Sequence, residues 1–508
     1  MVSAPLLNTI RERLAAETGR VDKQGGEAIA LCYPSPYWVG MSSLGFQQIY
    51  REIQGTQGLC CERVFLPDDA EDSPGAEFAE PVSYETLRPL GDFRIAAFSV
   101  AYEIELAGLV RMLRAASLPM RWRDRDERAP FILAGGPLTF SNPLPLAPFC
   151  DAIIIGEGEG LTRWALEVIA GAPSKARARE LLSSRPHIFV PEHHGNQLPA
   201  TARCEDELIP AQSAIRTPHT ELSDMFLIEA ERGCSRGCQY CVMRRTTNGG
   251  MRIVDKDRLL SLIPEDAKRV GLVGAAVSDH PRITEIVNAL ADRGATVGLS
   301  SLRPDRMKEP FVSALKRAGY RTLTTALDGP SQRLREQIER RGREPHYEEA
   351  ARLVRWSGMD RLKLYLMIGL PEETDADIDE CVTFIRKLSA ISPVAIGIAP
   401  FCAKRNTPLD GAPFAGIDVV RGRLDRLRRG LQGRADVRST SAKWAWVEYV
   451  LAQGGETEGL AMAQAALDGG TFAQYRAAFE ALGYGTDGRR PERSDTGRAT
   501  LRRLAVHS

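Results

Sequence analysis

Histidine is scarce in this 508-residue chain. There are seven, and none precedes His187, so no imidazole ligand can come from the first 186 residues. Neither sign of charge is in surplus: Lys plus Arg and Asp plus Glu both number 66. Such a balance gives no global attraction to nucleic acid or to an anionic membrane surface. No run of about 18 apolar residues occurs, so no membrane-spanning helix is expected. The opening stretch, MVSAPLLNTIRERLAAETGR, soon carries Arg11, Glu12 and Arg13. It reads as an amphipathic helix and not as a signal peptide, which makes the cytoplasm the expected location. No internal repeat is visible. Of ten cysteines, seven are scattered through the chain. In a chain this long that is no disulfide framework; it fits a reducing compartment with one metal site.

Hydrophobic residues make up 43% and charged residues 26%, a balance that supplies more than one core. Residues 1–186 alternate apolar strands (AIALCYPS, FRIAAFSV, PFILAGG, CDAIIIGEGEG) with helical stretches. That rhythm predicts a doubly wound, Rossmann-like parallel sheet, with ligands at the loops after its strands. Residues 187–224, broken by Pro191, Pro199, Pro210 and Pro218, read as a linker or strap. Over 225–415, six further strands alternate with helices, beginning DMFLIEAE and ending PVAIGIAPF. They predict a partial (β/α)6 barrel with its chemistry at the C-terminal strand ends. Residues 416–508 read as a helical region. The expected fold class is therefore α/β in two domains, followed by helices.

The stretch RGCSRGCQYC places Cys234, Cys238 and Cys241 in a CxxxCxxC spacing. Thiolates suit zinc and iron–sulfur clusters. Zinc needs a fourth protein ligand, and no nearby CxxC or HxxxH supplies it. A 4Fe–4S cluster on three thiolates keeps one iron open to a small molecule. A structural zinc loop is the alternative. This CxxxCxxC at a strand end, with Tyr240 before its last cysteine, resembles the radical S-adenosylmethionine (SAM) superfamily. The resemblance implies a 4Fe–4S cluster whose open iron chelates SAM and, on one-electron reduction, yields a 5′-deoxyadenosyl radical. It also implies an outside electron donor such as flavodoxin or ferredoxin. Three further stretches are similar to SAM-contacting segments of that superfamily. They are SSLRPDR with Ser301 and Arg303, LTTALDGPSQRLR with Asp328, Ser331 and Arg335, and KLYLMIGLPEET with Met367 and Gly369. Aspartate stands at 328 where the family usually has glutamate. Ser278 is a further expected SAM contact.

A doubly wound domain ahead of such a barrel resembles the cobalamin-binding subclass. Matching segments include CYPSPYWVGMSSLGFQQIY and GGPLTFSNPLPLAPFCDAIIIGEGE. The resemblance implies cobalamin contacts at Ser42, Ser43, Gly45, Ser99, Gly135, Gly136 and Glu157. Many members carry DxHxxG, whose histidine ligates cobalt from below. Here the matching loop reads Gly40-Met41-Ser42-Ser43-Leu44-Gly45. Bound cobalt would then be five-coordinate or capped by water, which eases methyl transfer.

Asp279 and His280 follow the second barrel strand and Cys402 ends the last; these are the catalytic candidates. The arginine-rich stretch at 421–429 reads as a solvated amphipathic face. The expected activity is cobalamin-dependent C-methylation of an unactivated carbon in a small molecule. One rival is a cobalamin-independent rearrangement, cyclisation or oxidation with a vestigial first domain. Another is an RNA-modifying, methylthiotransferase-like protein, which predicts an appended basic β-domain.

Overall fold

The structure is a computed structural model that describes residues 3–23, 25–68, 78–243, 250–300 and 302–491. The chain divides into two compact units. One joins residues 1–224 to 450–484; the other comprises 225–449 with 485–489.

In the first unit the apolar runs become the expected strands: β1 (Glu27–Tyr33), β3 (Ile95–Ser99), β4 (Phe131–Gly135) and β5 (Ala152–Ile154). Two more strands, β2 (Leu59–Phe65) and β6 (Ile188–Phe189), complete a six-stranded sheet of order β2-β1-β3-β4-β5-β6. All neighbours are parallel except β5 with β6. Strand order reverses between β1 and β3. In doubly wound folds the crevice outside the strand ends at that reversal is where ligands bind.

The strand β2 is a departure from the sequence reading. Its run LCCERVF carries Glu62 and Arg63, yet all seven positions are buried. Internal pairing makes this tolerable. Arg63 donates to both oxygens of Glu17, at 2.6 and 2.9 Å, and its Nε lies 2.7 Å from Glu85. Glu62 accepts hydrogen bonds from Ser83 and Thr86. Burial opposes the charge on Arg63, but Glu85 and Glu17 outweigh it and raise the pKa of the guanidinium.

Residues 187–224, expected as a linker or strap, are part of the first unit. Thr18 pairs with Arg216 and Gly156 with Ala202, and Ile215 is buried in the first unit's core. The helical region expected over 416–508 is not one body. Residues 450–484 belong to the first unit, where Asn142 Nδ2 reaches the carbonyls of Leu451, Ala452 and Gly454 at 2.9–3.1 Å. Residues 492–508 lie outside the described residues.

The second unit holds the expected barrel strands: β7 (Phe226–Glu229), β10 (Arg269–Val273), β11 (Thr296–Leu299), β12 (Thr322–Asp328), β13 (Arg361–Ile368) and β14 (Val394–Pro400). They form two parallel sheets, β11-β10-β7 and β12-β13-β14-β15, and a parallel bridge joins Leu302 to Thr325 beside the gap. The strand β15 (Ala435–Ser439) is a seventh barrel strand, parallel to β14, within the stretch expected to be helical. A short antiparallel ribbon, β8 (Glu231–Gly233) with β9 (Met251–Ile253), leads directly into the cysteine loop.

Replacing Arg63 with methionine would keep the volume and bury two carboxylates without a counter-charge. The expected loss is about 3–5 kcal/mol, read as a lowered midpoint of the first unit in calorimetry. Adding Glu17→Gln and Glu85→Gln should restore most of it; a loss under about 1 kcal/mol for Arg63→Met would sink the account.

Candidate active site

The cysteine loop leaves the ribbon at Gly233, whose φ of +89° is a left-handed turn that glycine enters without strain. Four contacts then fix the loop. Gln239 N donates to Ile338 O at 3.0 Å, and its side chain reaches Glu339 at 2.6 Å. Tyr240 OH donates to Asp328 Oδ2 at 2.6 Å, at the end of β12. Arg236 pairs with Asp305 at 2.8 Å. Asp328 sits at φ +65° and also pairs with Arg340 at 2.9 Å. Burial, then the Asp328 charge, pushes the Tyr240 phenol up, so it remains a proton donor in this bond.

Two donors face the Cys234 sulfur. Arg303 Nη2 approaches Cys234 Sγ at 3.0 Å, and Arg236 N approaches it at 3.4 Å. Both contacts aim N–H donors at this sulfur. Burial pushes the Cys241 thiol up, a cost that ligation to iron offsets. The loop offers three thiols, a set that a 4Fe–4S cluster takes on three separate irons, whereas a structural zinc ion takes four ligands. The chemistry of the donor set therefore fits the cluster better than a zinc loop.

Around the loop the structure gathers several of the expected residues. Ser278 Oγ accepts from Arg303 N at 2.9 Å, and Arg303 Nε lies 2.9 Å from Asp279. Arg306 and Arg236 face the same carboxylate at 3.2 and 3.7 Å. Three guanidiniums thus hold Asp279, which suits a structural hub better than a free base. The ring of His280, 2% exposed, is also engaged on both sides. Its Nε2 lies 2.8 Å from Val254 O and its Nδ1 accepts from Arg282 N at 3.1 Å. With both ring nitrogens engaged by backbone groups, the proton-handling role expected of His280 gives way to a structural one. Arg335 is likewise enclosed, donating to Gly329 O and Pro330 O against the Phe384 ring. Its fork closes a turn and is not presented to a ligand. Ser331 caps the helix Gln332–Gln337 and donates to Asp377. Cys402 Sγ is 3.1 Å from Ala445 O. Gly369 turns at φ +80°, where its amide reaches Glu373. Ser301 lies outside the described residues.

Two features were not foreseen. Glu231 is fully buried three residues before Cys234; one oxygen accepts from Ala276 N at 2.6 Å and the other has no hydrogen-bond partner among the described residues. Burial, reinforced by Glu229 and Asp279, pushes its pKa up to about 7. The second feature is a cavity of about 670 Å³ along β12–β15. Leu362, Leu364, Leu366 and Ile368 of β13 are buried on one face. On the other, Lys363, Tyr365 and Met367 line the cavity, beside Ala395, Gly397 and Ala399 of β14. Period-two alternation signals this face, but the eye reads β13 by its apolar half.

In the first unit, Ser43 caps the helix Leu44–Gly55 and Ser42 donates to Trp38 O. Above Gly45 there is open space, and Ser99 and Gly135 stand half-buried at the ends of β3 and β4. Gly136 turns at φ +106°, where an added Cβ would lie 2.6 Å from Val100 O. Glu157 is buried and accepts from Cys204 N at 2.8 Å, tying down the strap.

Comparison with known proteins agrees with the loop. A family model described as radical SAM proteins, N-terminal, matches residues 45–191. A second, the radical SAM superfamily, matches residues 228–385. The chain belongs to the radical SAM superfamily. Membership brings a 4Fe–4S cluster and SAM as cofactors, and a need for an electron donor. An uncharacterized protein of Methanocaldococcus jannaschii is 27% identical over 398 residues, 76% of this chain and 80% of that one. A 2-(S-pantetheinyl)-carbapenam-3-carboxylate methyltransferase of Streptantibioticus cattleyicolor is 25% identical over 284 residues, 52% of this chain and 39% of that one. Among solved structures, the cobalamin-dependent SAM radical enzyme OxsB, with aqua-cobalamin and SAM bound, aligns at a TM-score of 0.45 and 12% identity. The alignment covers 73% of this chain and 53% of that structure, so the chain spans about half its length. Methylornithine synthase (PylB) aligns at 0.32 with 14% identity, covering 46% of this chain and 69% of that one. No helix among the described residues is long and apolar enough to cross a membrane.

Two outcomes test the site. Folding takes up a proton at Glu231 between its ordinary 4.5 and about 7, so its buried carboxyl costs stability as pH rises through that window. Glu231→Gln should therefore raise the second unit's melting temperature more at pH 8 than at pH 5, by an amount on the order of 3 kcal/mol at most; an equal effect at both would refute it. Tyr240→Phe should cost about 1–2 kcal/mol and leave less iron per chain after gel filtration. Unchanged iron retention would show that this phenol does not hold the loop.

Proposed function

We propose that this protein is a cobalamin-dependent radical SAM C-methyltransferase that methylates an unactivated carbon of a small molecule. The observation that carries the reading is the pairing, in one chain, of a three-thiol loop at a partial barrel's mouth with a doubly wound sheet whose order reverses between β1 and β3. The carbapenam methyltransferase relative supports methyl transfer.

When bound, the cluster with SAM would supply a hydrogen-abstracting radical, and cobalamin in the first unit would supply a methyl carrier. The chain's own residues do the placing. Cys234, Cys238 and Cys241 would hold the cluster, with Arg303 and the Arg236 amide donating to the Cys234 sulfur. Ser278, Arg303, Asp328, Met367 and Gly369 would surround SAM, with Tyr240 fixing Asp328. Ser42, Ser43, Gly45, Ser99, Gly135 and Gly136 would border cobalamin; Glu157 is committed to the strap. Flavodoxin or ferredoxin would supply the electron.

That commitment of Glu157, and the use of Ser43 as a helix cap, favour a second reading: a cobalamin-independent radical enzyme whose first unit is structural. The methylthiotransferase-like reading has no such support, because 450–484 folds with the first unit and is helical.

The test is anaerobic reconstitution with iron, sulfide and cobalamin. The expected product carries about four irons and one cobalamin per chain, and releases 5′-deoxyadenosine from SAM once reduced. Release without retained cobalamin selects the second reading. No release, with iron fully loaded, overturns both.

A further inference from the structure

The cavity of about 670 Å³ lies wholly within the second unit and runs the length of β13. One end reaches Asp328 and Met367, the level at which Tyr240 ties down the cysteine loop. The other reaches Asp360 and Arg361, where β13 begins. With a rise of about 3.3 Å per residue, Lys363 lies roughly 13 Å below Met367 on the same face.

Charge along this wall is uneven. At the far end Arg361 and Arg438 share one partner, Asp436, at 3.9 and 3.4 Å. Asp360 is neutralised by Arg321, which does not line the cavity. Lys363 has no carboxylate partner among the described residues; its Nζ stands 4.9 Å over the Tyr365 ring. At this end three cations, Arg361, Lys363 and Arg438, thus share the cavity with one carboxylate, Asp436, that has no counter-charge outside it. Between the two ends Tyr365 is 46% exposed, a large aromatic surface left bare. It lies beside Gly397, where an added Cβ would come within 2.9 Å of the ring. The missing side chain gives the ring its place and keeps the channel wide.

We infer that the substrate is an elongated organic acid: its carboxylate sits between Lys363, Arg361 and Arg438, its apolar middle covers Tyr365, and its reacting carbon lies near Met367 and Asp328. This rests on the radical-enzyme reading for the location of the reacting end, but the charge selection stands on the cavity alone. Lys363 and Tyr365 are then specificity-determining residues. An ion pair in a solvent-open site is worth little in stability, yet it suffices to choose between ligands of opposite charge.

The test is ligand-observed NMR on the reconstituted full-length protein, without reductant, using 4-phenylbutyrate and 4-phenylbutylamine. These probes share length and ring and differ in charge. The acid should bind roughly fivefold more tightly than the amine, the size of one exposed ion pair. Lys363→Glu should invert the preference, Lys363→Met should abolish it, and Tyr365→Ala should weaken both probes. Arg438→Glu, on the last strand, gives a second charge reversal should the Lys363 variants not fold. Equal binding of the two probes to the native chain, or a preference that survives every charge change, would overturn the inference. Because no turnover is involved, a failure here is distinct from a failure to cleave SAM.

Discussion

One carboxylate ties the cysteine loop to the barrel. Asp328 ends β12 in a left-handed backbone conformation, accepts a hydrogen bond from Tyr240 and faces Arg340. Tyr240 precedes Cys241, so the contact ties the last cysteine of the loop to a barrel strand. Without it the loop would keep only its Gln239 and Arg236 contacts beyond a ribbon of three residues per strand. With it the thiols are held at the mouth of a channel lined by β13 and β14. The shorter acid at 328 is no weakness here, since the tyrosine hydroxyl reaches it at 2.6 Å.

The equal numbers of acidic and basic residues hide an internal pattern. Much of the balance is struck inside the fold. Arg63 sits between Glu17 and Glu85 in the first unit, and Asp279 sits among three guanidiniums in the second. Each places a charge where burial alone would forbid it, and each fixes segments distant in sequence. In the second case the fixed segments carry Cys234, Ser278 and Arg303, so the electrostatics that hold the fold also aim donors at a sulfur.

The parts legible from the sequence were those whose residues all point one way. Apolar runs gave ten strands their places, and the cysteine spacing located the loop. The strand β2 escaped because Glu62 and Arg63 break its apolar run, and only the folded chain supplies their partners. The strand β15, ADVRS, escaped because its alternate residues face an open channel and are polar. Side-chain direction was the larger gap. His280, Arg335 and Glu157 lie next to the right loops, yet each turns to a backbone group of its own unit. Spacing sets which loop a residue joins; local hydrogen bonds decide what that residue then does.

The inner row of β14, Ala395, Gly397 and Ala399, presents two methyl groups and a hydrogen. The strand's ladder to β13 and β15 is made by its backbone and is indifferent to what stands on that row. The bore of the channel can therefore be narrowed or reshaped by exchanging small groups on a single strand, while the thiol loop and its tethers stay as they are. The residues that shape the channel and those that hold the thiol loop thus stand on separable pieces of the same scaffold.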